Sequence, residues 1–116
     1  MDMTSRVFVV QEQLRFDPDT GKNVLRFPTI HSASVFGEIV FMLEPNAHPF
    51  NQAGVTGTLH KHLTDFCDED YLILTGNPIL LGMAVAIAAS YNSGRVNFLQ
   101  WSPKLNRYMP VHSAMF

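Results

Sequence analysis

The chain has 116 residues, which suits one domain over residues 1–116. At 47% hydrophobic and 16% charged it has the composition of a folded protein, which excludes a disordered or collagen-like chain. A net charge of −2 gives no global field toward nucleic acid or anionic membranes, and the single cysteine, Cys67, excludes an intrachain disulfide framework.

Arg6 to Phe16 is rich in β-branched and aromatic residues and predicts a strand. Asp17-Pro18-Asp19-Thr20-Gly21-Lys22 is a turn: Pro presets φ, Asp bonds local amides, and Gly accepts positive φ. Asn23 to Ile30 returns as a second strand, completing an N-terminal hairpin. Ser32 to Leu43 predicts a helix, with Val35, Ile39 and Met42 on one face and Phe36, Val40 and Leu43 beside them. Pro45 stops it, and Asn46 to Gly57 is a loop of unassigned role. A short helix capped by Thr56 or Thr58 follows, with Leu59, Leu63, Phe66 and Cys67 as its apolar stripe.

No charged residue lies between Asp70 and Arg95. Tyr71 to Leu74 is apolar on both faces, as a central strand is. Asn77 is a strong N-cap and Pro78 suits the first helical position. The helix runs to about Tyr91 and ends at Asn92-Ser93-Gly94, where Gly serves a left-handed C-cap. Arg95 to Trp101 is the next strand, Ser102 to Asn106 a turn, and Arg107 to His112 the last strand. The order β-β-α-α-β-α-β-β predicts an α+β fold. One mixed five-stranded sheet is expected, with helices mainly on one face and its two central strands parallel, joined by a right-handed crossover.

Four groups of residues invite a chemical reading. Thr75-Gly76-Asn77 sets a turn at a helix N-terminus, where free N–H groups and the dipole attract anions. No phosphate-binding Lys follows and no P-loop is present, so ordinary capping is the competing explanation. His60-Lys61-His62 with Cys67 suggests a metal, but residues two apart on a helix face different ways. Asp65, Asp68, Glu69 and Asp70 lack the EF-hand pattern and read as a solvated loop. No metal site and no cofactor is therefore expected. Cys67 lies on an apolar stripe and reads as a structural thiol.

Seven of the eight Lys/Arg residues sit on the two hairpins. Arg95, Phe98, Trp101, Lys104, Arg107 and Tyr108 on the second form a candidate surface for single-stranded nucleic acid, by stacking and phosphate contact. Strand packing and edge protection explain the same residues. On the long helix, Gly82, Met83, Ala86 and Ala89 mark a candidate dimer interface, because a helix apolar all round needs cover on every side. The low charged fraction agrees, since soluble domains average roughly 25%.

The segment Asp70-Tyr-Leu-Ile-Leu-Thr-Gly-Asn-Pro, with Gly94-Arg-Val-Asn-Phe-Leu-Gln-Trp and Arg107-Tyr-Met-Pro-Val, resembles short uncharacterised open reading frames of bacterial viruses. The resemblance implies a small phage accessory protein and assigns no residue a role. The expected function is a non-enzymatic, homodimeric protein-interaction module. Single-stranded nucleic-acid binding is the alternative, and a nucleotide or anion binder at Thr75, Gly76 and Asn77 the second alternative. The start Met1-Asp-Met-Thr-Ser-Arg is no signal peptide, and Ile79 to Ala89 is shorter than the about 20 residues of a membrane span. A cytoplasmic protein with no membrane association is expected.

Overall fold

The computed structural model describes residues 5–116. β1 (Arg6–Gln11) is followed by a short arm of two strands, β2 (Leu14–Asp17) and β3 (Lys22–Leu25). A 3-10 segment (Pro28–Val35) leads into β4 (Glu38–Leu43), α1 (Gln52–Leu63), β5 (Tyr71–Ile73), α2 (Pro78–Tyr91), β6 (Arg95–Ser102) and β7 (Arg107–Ala114). The main sheet has the order β4-β1-β5-β6-β7, and β2-β3 is a separate two-stranded sheet. β4, β1, β5 and β6 run parallel, and β7 returns antiparallel on β6. The fold is α+β with a mixed five-stranded sheet, as the sequence predicts.

β1 is the centre. Phe8 and Val10 point into one core with Leu59 and Leu63 of α1 and Leu80, Ala84 and Ala88 of α2. Val7 and Val9 point into the other, with Ile30 and Ala33 of the 3-10 segment, Ile73, Leu99 and Tyr108. Alternate residues of a strand face opposite ways, so both long helices cover one face and the 3-10 segment the other.

One predicted element is corrected. Ser32 to Leu43 is not a helix: the 3-10 segment ends at Val35 and β4 begins at Glu38. Ile39 and Phe41 pack into one core while Val40 and Met42 pack into the other. A strand buried on both sides loses its alternation, and its apolar run then also satisfies helical spacing. Gly37 makes the break, because a Cβ there would run into the Ser5 backbone. β4 thus takes the sheet position beside β1, and the strand expected to continue to Phe16 breaks after Gln11. Its distal part forms the arm with β3, register Leu14↔Leu25 and Asp17↔Lys22.

α1 also begins earlier than expected, at Gln52, so the loop before it is shorter. Thr56 and Thr58 lie inside α1 and their hydroxyls donate to the Gln52 and Gly54 carbonyls. α2 follows its local signals. The Asn77 side chain accepts from the Ile79 N–H at 2.9 Å, and Gly94, at φ +80°, donates its N–H to the Ala89 carbonyl at 2.8 Å.

Candidate binding surfaces

β1 leaves the carboxyl end of the sheet toward the 3-10 face, and its neighbour β5 leaves toward the helical face. Open α/β sheets bind ligands where adjacent strands part in this way. Here the crevice is filled from within. Gln11, 5% exposed, donates from Nε2 to the carbonyls of Glu44 (3.1 Å), Pro45 (3.3 Å) and Ala47 (2.9 Å). Its Oε1 accepts the Asn77 N–H at 2.9 Å, the place an anion would take at the start of α2. The Thr75 hydroxyl donates to the Gln11 carbonyl at 3.1 Å. Gly76 has φ +131°, and a Cβ there would stand 2.6 Å from the Gln11 Cβ. Thr75, Gly76 and Asn77 therefore close on a neutral side chain of the same chain, and with the Ile79 N–H capped by Asn77 the helix end is largely spent internally. Sequence reasoning found the helix end but missed Gln11, since a lone Gln in a strand carries no local signal.

Beside this plug, a cavity of about 510 Å³ opens at the ends of β5 and β6. Phe27, Leu74, Phe98, Trp101, Tyr108 and Val111 line it, and Thr29, Thr75 and Gln100 supply polar groups. Trp101 meets Tyr108 edge to face, centroids 5.1 Å apart. Burial pushes the Tyr108 phenol pKa up, partly opposed by its hydrogen bond with Thr29. Tyr108 is the cavity's one titratable side chain, and it is neutral near pH 7.

Of the six nucleic-acid candidates, the structure brings Phe98, Trp101 and Tyr108 together here. Lys104 and Arg107 stand at the turn beyond them. Arg95 is elsewhere: the register Arg95↔Ala114 against Ser102↔Arg107 puts seven residues, about 24 Å, between the ends of the hairpin. Arg95 also pairs with Asp68 at 3.0 Å. Arg95 therefore stands apart from the other five candidates, and the six do not form one surface.

At the opposite end, Asp70 is 1% exposed and accepts from the Arg6 backbone N–H at 3.0 Å, from Arg6 Nη2 at 2.8 Å and from the Cys67 N–H at 3.0 Å. Arg6 also reaches Asp65 at 2.9 Å. These carboxylates, Asp70 foremost, raise the Arg6 pKa further above its ordinary value. Asp68 is held below the usual carboxylate range by hydrogen bonds from Asn92 and then Arg95. Burial pushes the Cys67 thiol up, away from the thiolate a nucleophile needs. The acidic loop is thus a structural knot. His60 and His62 lie on α1, and among the described residues no three His, Cys, Asp or Glu side chains are placed to hold a metal. Asn97 Nδ2 donates to the Asp68 carbonyl, so its Oδ1 accepts from His112 Nδ1 at 2.7 Å and fixes that ring.

On α2, Gly82 and Ala86 face outward with Ile79, and Met83 is half-buried. Ala89 is buried in the core between the helices and the sheet and leaves the candidate interface. Among the described residues, no helix is long and apolar enough to cross a membrane.

No curated protein and no solved structure matches the chain. A family model does, over nearly the full length, and it extends the resemblance to phage reading frames back through the arm to Ser5. Residues 5–115 match the model of the Phage Pam3 gp32-like proteins, and the chain belongs to that family.

Proposed function

We propose that this phage-family protein is a non-enzymatic interaction module, assembled as a homodimer through the outer face of α2, that acts by occupying a protein partner. One observation carries the reading. α2 covers the sheet with one side, yet residues 78–91 contain no charged residue, and on the outer side Ile79 is 57% exposed beside Gly82 and Ala86. The solvent face of a surface helix is ordinarily charged or polar. An uncharged face meets its own copy without like-charge repulsion, and two-fold dimers are the commonest assembly. Gly82 points the same way. A Cβ there would meet nothing within 4 Å, so no contact within the chain requires glycine, although it weakens the helix by roughly 1 kcal/mol against alanine.

Sedimentation equilibrium of Ala86→Arg tests this. Its circular dichroism should match the parent while its mass falls to that of one chain; an unchanged mass in a folded variant refutes the α2 interface. Single-stranded nucleic acid is a second reading, favoured by Arg26 lying 5.4 Å from the Phe27 ring at the cavity rim. It predicts quenching of Trp101 that weakens with salt.

A further inference from the structure

The arm has no evident support in one copy. Its two strands form a sheet of their own, paired with each other and with no strand of the main sheet. An isolated two-stranded hairpin is marginal in water. This one is also two-sided. Leu14 faces Leu25 across the ladder, and Phe16, two residues on, shares their side. Arg15, Asp17 and Lys22 occupy the other with Val24, and Asn23 lies opposite Phe16. The apolar side is open, with Phe16 62% exposed and Leu14 exposed as well.

The cavity beside Trp101 is the counterpart: apolar, uncharged and empty of any side chain from the arm. Asn23, opposite Phe16, is four residues from Phe27 on the cavity rim, about 13 Å of extended chain. Knob and hole therefore lie at the same end of the molecule, and one two-fold axis between two copies satisfies both. Area argues for a second contact too. α2 has 14 residues, about 21 Å long and 10 Å wide, a footprint near 200 Å². Stable interfaces bury roughly 800 Å² per partner. The cavity lies with Ile73, Leu99 and Tyr108 on the 3-10 face and α2 covers the other, so the arm contact is an interface separate from α2.

We infer that the β2–β3 arm of one copy lays Leu14 and Phe16 into the Trp101 cavity of a second copy, and receives that copy's arm in return. The occupant is apolar because no lining group offers a charge to a phosphate or carboxylate. This rests on the homodimer reading but uses a different surface from α2, so the two fail separately.

The test uses Phe16→Ser and Val111→Arg, both at exposed positions whose change spares the core, with sedimentation equilibrium and the emission of the sole tryptophan, Trp101. Each variant should weaken self-association at least about ten-fold, since one removes a buried aromatic ring and the other sets a charge in an apolar cavity. Each should also show, at concentrations where the parent is dimeric, the red-shifted Trp101 emission of the dissociated parent. Parent-like mass and emission in both variants overturn the exchange, and so does a fall in mass with Trp101 unmoved. Trp101 quenching by a single-stranded oligonucleotide, with Phe16→Ser still dimeric, assigns the cavity to nucleic acid instead. If Ala86→Arg stays dimeric while Phe16→Ser does not, the α2 interface fails and the arm exchange stands.

Discussion

The two ends of β1 solve one problem with different chemistry. At the amino end, Arg6 and Asp70 tie β1 to the loop before β5 with charge. At the carboxyl end, Gln11 ties β1 to the loop after β4 and to the start of α2 with a neutral amide. Both groups are buried and hydrogen-bonded, as buried polar groups must be. The difference lies in what surrounds them. At the charged end the acids pair with Arg6, Arg95 and backbone N–H groups. The neutral end leaves an apolar cavity and an apolar arm facing water. Charge closes a surface to apolar partners, while neutrality leaves it available to a second chain.

The largest break in this comparison is Asp70→Ala. Removing one partner strands a buried cation and costs 3–5 kcal/mol when burial is complete. Arg6 is 24% exposed and keeps its pair with Asp65, so the low end, about 3 kcal/mol, is expected from urea unfolding. Gln11→Leu should cost less, about 2 kcal/mol, because the groups it leaves are neutral. If Gln11→Leu proves the costlier change, the ranking of charge over amide is wrong.

The smallest effect is pH dependence, and it should divide the molecule. Asp68 titrates below its ordinary 3.8, so its contribution is present above that value and is lost as pH falls through its lowered pKa. His62, lowered from 6.5 by burial and then by Lys61, binds its proton more readily unfolded; stability therefore drops as pH falls below 6.5. Both belong to the amino end. Tyr108, raised above 10.0 chiefly by burial, ionises first in the unfolded chain, so stability is lost as pH rises past 10. Acid should loosen the charged end, and alkali the cavity end. In an alkaline titration Trp101 emission should change before far-ultraviolet dichroism; simultaneous change would deny the division.

Local chemistry made part of this legible in the sequence. Asn77, Pro78 and Gly94 act on their own neighbours, so both ends of α2 could be read directly, as could the Asp17 to Lys22 turn. β4 could not, because burial on both faces erased its period. Gln11 was invisible for a different reason. Its partners at positions 44, 45, 47 and 77 converge only in the folded chain. The cavity was half legible: Trp101 and Tyr108 stand close on one hairpin, but Phe27 and Thr29 arrive from a distant segment. The uncharged run of α2 was plain in the sequence, whereas only the structure separates inward Ala89 from outward Gly82 and Ala86.

The most direct test of self-association through uncharged surfaces is the molar mass of the parent protein by light scattering across a dilution series. The account predicts at least twice the 13.0 kDa of one chain, falling on dilution together with a red shift of Trp101. A single-chain mass at every concentration, with constant emission, would contradict it.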